Sequence, residues 1–311
     1  MLKICHKNTI RKLQFPNTNF MCTREARWKV YRDDFTGWNR FIYSFTRRNL
    51  LSLRNDFAKF YIYGSGYEIG AQNAPLQCGN KDTRIAYIDY LDKADSACKY
   101  NIPEVLCVDV DILCDANKLN CIEPETASFV IANHVLEHSP NPLGALLEWL
   151  RIVRTGGVLF FTLPNYRCNE FDFEKRPVNI EHLIDDYHND GIRDISEIHI
   201  EEHVTIVDGI SRNDTELFKK RKKEILESNL HTHYHVFDQK LVQDMLNFVH
   251  ARQHIKTVNM LAFQNGFEFL YILQKVGSSG NETLVFRPDY PVYLKIMLTN
   301  MARYWVSRLR A

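Results

Sequence analysis

Three acidic residues recur along the chain, each following a short apolar run: Glu68, Asp89 and, after the run Val105 to Val110, Asp115. A carboxylate at the end of a strand accepts hydrogen bonds from paired ribose hydroxyls, and Asp89 lies about 20 residues past Gly70, the spacing that role requires. Asp115 suits an exocyclic amine, with the Ala116 N–H beside it. Gly70, next to Ala71, lets the backbone approach a ligand closely. Tyr90, Asn133 and His134 fall at other strand ends and complete the candidate binding set. Such a set suits a nucleoside that also carries positive charge.

That charge separates two cofactors. A pyrophosphate such as that of NAD needs glycines in G-x-G-x-x-G spacing after a strand. Gly64 and Gly66 start the pattern, but they precede the strand and position 69 is Ile. S-adenosylmethionine has no phosphate and carries a sulfonium and an ammonium, so acids at three strand ends suit it. Methyl transfer to oxygen also needs a base near neutral pH, commonly histidine. His138, His182, His233 and His235 are the candidates, alongside His134. His182, His233 and His235 are expected to line the acceptor pocket, with His233 and His235 pointing the same way if they share a strand.

Two metal readings compete with that one. His134-Val135-Leu136-Glu137-His138 matches an H-x-x-E-H peptidase string. The string must lie on a helix, and here a strand leads into it and Ser139-Pro140-Asn141-Pro142 follows, so no peptidase is expected. A divalent ion on Glu137, His138 and a residue of the later insertion would orient an acceptor hydroxyl; it is carried as the alternative to a metal-free site.

These residues need elements to hold them. From Tyr61, apolar runs at 66–69, 84–88, 105–110, 128–132 and 158–163 alternate with helical patterns, which predicts an α/β fold with a parallel sheet and helices on both faces. A helix over 142–154 has Asn141 as N-cap, Pro142 at N1 and Gly156-Gly157 to end it. A helix over 238–250 has Asp238 as N-cap. Strands 255–263 and 267–274, joined by an Asn265-Gly266 turn, form an antiparallel closing hairpin. Ligands of such sheets bind beyond the carboxyl ends of the strands.

Three regions follow: a helical segment at 1–62, a main domain at 63–276 and a tail at 277–311. Residues 165–236 interrupt the main domain with seven of the twelve histidines and are expected to be an insertion capping the acceptor site. The run Lys219 to Lys223 reads as a solvated helix face, with an anionic glycan, lipid phosphate or nucleic acid as the alternative contact. The tail at 292–311 has no acid, and Leu294, Met297, Leu298, Met301, Trp305 and Leu309 share one side of a helix. It is expected to pack on this domain or a partner; peripheral contact with a membrane surface is the alternative.

Composition narrows the class. The 311 residues are 45% hydrophobic and 25% charged, which excludes disordered and fibrous classes. A formal charge of +1 argues against a protein devoted to nucleic acid. The eight cysteines show no C-x-x-C pair and fit a reducing compartment. With no apolar leader and no membrane-spanning run, a soluble, cytoplasmic protein is expected, with the tail able to touch the inner face of a membrane. Oligomeric state is not legible.

Glu68-Ile69-Gly70-Ala71, Tyr87-Ile88-Asp89-Tyr90-Leu91, the Asp115 turn, Ile131 to His138 and Gly156-Gly157-Val158-Leu159 resemble motifs of the class I S-adenosylmethionine-dependent methyltransferases. Over roughly residues 64–276 the chain is similar to a bacterial subgroup found among glycan-biosynthesis proteins. That likeness continues through Pro164-Asn165, Phe171-Asp172, Arg176-Pro177, Glu181 to Tyr187 and His233 to Phe237. It implies a Rossmann-like sheet, S-adenosylmethionine as methyl donor, and a sugar hydroxyl or glycan precursor as acceptor. One position departs from the family's E-x-G-x-G loop, where Gln72 replaces the second glycine. A catalytically silent module binding a glycan or a protein partner is therefore the alternative, and a dehydrogenase is a third reading.

Overall fold

The structure, a computed structural model, describes residues 50–166, 172, 174–191, 198–228, 232–253, 256–264, 268–276 and 290–309. Seven strands form one sheet in the order β3-β2-β1-β4-β5-β7-β6. They are β1 (Ser65–Ile69), β2 (Arg84–Asp89), β3 (Ile112–Leu113), β4 (Ala127–Asn133), β5 (Val153–Pro164), β6 (Lys256–Gln264) and β7 (Glu268–Val276). β7 alone runs against its neighbours, antiparallel to both β5 and β6. The expected α/β sheet, mostly parallel with an antiparallel hairpin, is what forms. The expected Asn265-Gly266 turn lies outside the described residues.

Both faces of the sheet are buried, so the central strands divide their side chains by the period of two. Val130 and Ala132, then Leu159, Phe161 and Leu163, then Tyr271 and Leu273 face one core. Phe129 and Ile131, Phe160, then Leu270 and Ile272 face the other. Helices cover each side. The first core is closed by α3 (Pro142–Ile152), α4 (Ile180–His188) and α7 (Gln239–Gln253), through Leu146, Trp149, Leu183 and Met245 among others. The second is closed by α1 (Leu50–Tyr61), through Leu53, Phe57 and Ala58, and by Ile296 of α8 (Tyr290–Leu309). A shorter helix, α2 (Lys93–Tyr100), follows β2 and is capped by Asp92, whose side chain accepts from Asp95 N.

Local chemistry explains where elements start. Asn141 caps α3 by accepting from Gly144 N, with Pro142 in its first turn. Asp238 accepts from Leu241 N at 2.8 Å at the head of α7. Two expectations need correction. The strand predicted over 105–110 is a 3₁₀ turn at Glu104–Leu106, where Leu106 N donates to Pro103 O, and β3 is only two residues long. Val105 and Leu106 are exposed, so their apolar character is not used in strand pairing. The helix predicted to reach residue 154 stops at Ile152, and Gly156-Gly157 lie inside β5. Gly157 is required there because a Cβ would come within 2.8 Å of Ser128 O on β4.

Among the described residues the insertion is mostly helical: α4, α5 (Ile198–Glu202) continuing as a π-helical turn at His203–Val207, and α6 (Thr215–Ser228). The basic run lies on α6 as expected. Arg221 pairs with Asp208 at 2.8 Å and Lys222 with Glu201 at 2.9 Å. Of the N-terminal segment only α1 is described, and the first half of the tail, 277–289, lies outside the described residues. Among the described residues no helix is long and apolar enough to cross a membrane. α8 packs on α1, with Arg303 paired to Asp56 at 2.6 Å and Lys295 over the Phe60 ring.

Candidate functional site

A cavity of about 620 Å³ opens beyond the carboxyl ends of β1, β2 and β4. All nine residues expected to bind a cofactor line it: Glu68, Gly70, Ala71, Asp89, Tyr90, Asp115, Ala116, Asn133 and His134. Parallel strands end on the same edge, so residues distant in sequence meet here.

The loop after β1 makes the tightest approach. Gly70 has φ +66, and a Cβ there would meet Val135 Cγ2 at 3.1 Å. Gln72 has φ +47, the left-handed conformation a glycine would adopt freely. The turn of the glycine-rich loop is thus kept without its second glycine, at a cost of roughly 1–2 kcal/mol in backbone strain. Glu68 is buried beneath this loop, where both carboxylate oxygens accept from Leu76 N at 3.1 Å. Burial pushes its carboxyl up to about 7, against the opposing pull of Leu76 N, the Asn133 side chain and Arg54.

Asp89 is nearly as buried, and burial raises its pKa against backbone bonds from Leu91 and Tyr90 and the charge of Lys99. Tyr90 is held by Lys99 Nζ at 2.9 Å and lies 3.1 Å from Tyr100 Oη. Asp115 forms a turn in which its Oδ1 accepts from both Asn117 N and Asn117 Nδ2. The Ala116 carbonyl is fixed by Trp149 Nε1 at 2.9 Å. Acids at three corners and glycine at the fourth match a cationic nucleoside with a ribose diol, so the donor set fits S-adenosylmethionine.

Two residues escape sequence reasoning, one lining the cavity and one buried behind it. Arg54 of α1 grips Glu268, the first residue of β7, through Nε at 3.1 and 3.0 Å and through Nη2. His134 Nε2 lies 3.0 Å from Glu268 Oε2 and 3.1 Å from Arg54 Nη2. It donates to the acid in one tautomer or accepts from the guanidinium in the other, and cannot do both at once. His134 itself has φ +54. Burial would raise the pKa of the fully buried Glu268, but the His134 contact and the Arg54 charge outweigh it and hold the carboxyl at about 2. No local pattern in the sequence marks this pairing, since its members are 214 residues apart.

The histidines divide. His138 lines the cavity with Ser139 and Tyr234, and its Nδ1 lies 3.0 Å from Thr232 O. A carbonyl only accepts, so Nδ1 carries the proton and Nε2 is the basic nitrogen of the neutral ring. His134 and His138 do not share a helix face, because only a 3₁₀ turn, Leu136–His138, forms there. The expected common strand for His233 and His235 is corrected: residues 232–236 are irregular, and the two rings enter different clusters. His182, His233 and His235 are not among the residues lining the cavity, contrary to the expected pocket. His233 Nδ1 lies 2.5 Å from Asp172 Oδ2 just behind His138, with ring centroids 4.7 Å apart. Burial alone would lower its pKa; Asp172 and Glu137 reverse that and raise it. His235 is sealed inside, between Ser139 O and Asp186.

Glu137, His138 and His233 bring three ligand atoms within 4.8 Å of one another and form the group at the cavity edge that could hold a metal. The Glu137 carboxyl is fully buried, and burial raises its pKa despite His134 and His233.

Residues 63–161 match the family model described as a methyltransferase domain. No curated protein matches the chain. Among solved structures the chain is similar to an O-methyltransferase family protein of Burkholderia thailandensis, at 11% identity and TM-score 0.43, over 84% of this chain and 63% of that one. It is similar to a Methanococcus maripaludis protein provisionally described as an S-adenosyl-L-methionine-dependent methyltransferase, at 14% identity and TM-score 0.33, over 79% and 94%. It is equally similar to a Rhodobacter sphaeroides protein provisionally described as a Zn-dependent alcohol dehydrogenase, at 14% and TM-score 0.43, over 72% and 90%. The family model spans about a third of the chain, and the structural likenesses carry no argument.

The acid–base knot behind the cavity has a pH signature. A carboxyl held at about 2 contributes stability that is complete above the ordinary carboxylate value of 4.5 and is lost as pH falls towards 2. Glu268→Gln should remove roughly 3 kcal/mol at pH 7 and flatten the dependence of unfolding free energy on pH between those values. Urea denaturation across that range checks it; an unchanged slope in the variant would show that Glu268 is not the group responsible.

Proposed function

We propose that this chain, which carries a class I S-adenosylmethionine-dependent methyltransferase domain, transfers the methyl group to a hydroxyl of a sugar or glycan precursor. S-adenosylmethionine supplies an electrophilic methyl group on a sulfonium. Glu68 and Asn133 would hold its amino-acid end, Asp89 the ribose and Asp115 with Ala116 the adenine. Gly70, Ala71, Tyr90 and His134 would complete the wall. The silent-module alternative turns on Gln72, and the left-handed backbone at that residue is one a glycine would also adopt, which supports the cofactor-binding reading.

The observation that carries the hydroxyl acceptor is His138. Its Nδ1 faces Thr232 O, so the neutral ring carries its lone pair on Nε2, and the residue lines the cavity wall. An amine acceptor can shed its proton without such a base, whereas a hydroxyl depends on one. Asp172 and His233 back the His138 ring and act as positioning residues in this reading. The resemblance to glycan-biosynthesis proteins supports a sugar as the bearer of the hydroxyl. Labelled S-adenosylmethionine and a panel of nucleotide sugars and lipid-linked glycans should give an O-methylated product. His138→Asn, which keeps a donor for Thr232 O, should lower kcat about 100-fold or more with little change in cofactor affinity. Label found only on nitrogen or carbon, or a variant as fast as the parent, would sink the hydroxyl reading.

Glu68 gives a second handle. With its carboxyl at about 7, it is mostly protonated at pH 6, and a bound cation favours the ionised form. Binding of S-adenosylmethionine at pH 6 should release close to one proton, and affinity should rise up to about tenfold per pH unit until pH 7, then level off. Calorimetry in buffers of different ionisation enthalpy measures the release, and Glu68→Gln should abolish it. Proton uptake instead of release would show that the cation does not sit beside Glu68.

A membrane-linked acceptor requires the protein to reach a bilayer, and the tail supports that contact. Leu294, Leu298, Trp305 and Val306 of α8 are exposed while Ile296 anchors the helix to α1. Flotation with anionic liposomes should be strong for the full chain and lost on Leu298→Glu with Trp305→Glu; equal flotation would remove the tail from the account.

A further inference from the structure

Behind the acceptor side of the cavity, the insertion brings three imidazoles and one carboxylate to a point. His182 and Asp186 sit one turn apart on α4 and share a face. His199 comes from α5 and His235 from the irregular run before α7. One ligand atom from each lies within 4.8 Å of the others. Asp186 Oδ2 is 3.1 Å from His235 Nε2 and 3.4 Å from His182 Nε2. The rings of His199 and His235 are 4.4 Å apart. Asp186, His199 and His235 are buried.

Zinc bonds to nitrogen and oxygen of about 2.0–2.1 Å place neighbouring ligand atoms about 3.4 Å apart on a tetrahedron edge. The two separations at Asp186 Oδ2 have that size. His235 Nδ1 lies 3.2 Å from Ser139 O, which only accepts. Nδ1–H therefore donates to Ser139 O; without a metal Nε2–H donates to Asp186 Oδ2, and loss of that proton turns the Nε2 lone pair into the cluster as a ligand. A backbone carbonyl behind the ring is the outer partner that a metal-binding histidine characteristically has. Three nitrogens and a single carboxylate suit zinc and poorly suit magnesium or calcium, which take oxygen.

We infer that His182, Asp186, His199 and His235 form a closed, structural zinc site. Four protein ligands in a buried setting leave no position for a substrate. The metal fastens α4 and α5 to the run 232–236. That run carries Thr232, which orients His138, and Tyr234, which lines the cavity. The site is separate from the Glu137, His138 and His233 group at the cavity edge and holds regardless of which acceptor is methylated.

The test uses the full chain, produced without a histidine tag and analysed by elemental mass spectrometry. About one zinc per chain is expected, retained through dialysis and removed by a strong chelator. Melting temperature should fall on removal and rise again with free zinc. Cobalt substitution should give the visible absorption of a tetrahedral nitrogen and oxygen site without a thiolate charge-transfer band, which answers the question even if ligand variants fold poorly. His199→Ala and Asp186→Asn should lose the metal, while His233→Ala keeps it. No bound zinc with a melting curve indifferent to added zinc would overturn the proposal. So would zinc lost from His233→Ala but kept in His199→Ala, or a thiolate band in the cobalt form.

Discussion

A sheet packed on both faces cannot tolerate unpaired polar groups along its strands, and this confines chemistry to the strand ends. Val130, Phe129 and their neighbours are apolar on both sides because each faces a helix-covered core. Polarity returns in the last paired residues of the strands: at Glu68, next to last in β1, at Asp89 closing β2 and at Asn133 closing β4. The same exclusion of water that makes the sheet stable leaves those acids poorly solvated, and it is burial that raises the pKa of Glu68 and Asp89. The cavity is thus primed for a positive guest by the packing that surrounds it.

Two buried acids at this edge behave in opposite ways, and the difference lies in their partners. Glu68 has a backbone N–H, an amide and a more distant guanidinium, and these do not offset its lost hydration. Glu268 has Arg54 and His134 in direct contact, and they do. One carboxyl titrates near neutrality and releases its proton to solvent when a cation binds beside it, while the other is charged throughout the physiological range. In the proposed reading the first receives the cofactor's charge while the second anchors the structure, although both are almost inaccessible to solvent.

Periodicity exposed the sheet, its helices and the closing hairpin, because apolar alternation and caps such as Asn141 and Asp238 are local signals. Strand ends then gave the cavity residues by topology alone. What stayed hidden depends on contacts between remote segments. Val105 to Val110 has the composition of a strand, yet it opens as a turn after Pro103. His233 and His235, two residues apart, face different clusters because the chain between them is irregular and is held by Glu137 O, which accepts from Tyr234 N at 2.8 Å. Arg54 and Glu268 carry no pattern in the sequence, since neither belongs to a motif and only the fold joins them.

The reversed direction of β7 has an implication for biosynthesis. Because it runs against the sheet, its first residue lies among the last residues of the other strands, so Glu268 arrives behind the cavity from far downstream. During translation, Arg54 leaves the ribosome 214 residues ahead of the acid that neutralises it. The pair can form only once β7 has joined the sheet, so the closing strand brings its own charge partner to a guanidinium encoded at the start of the described chain.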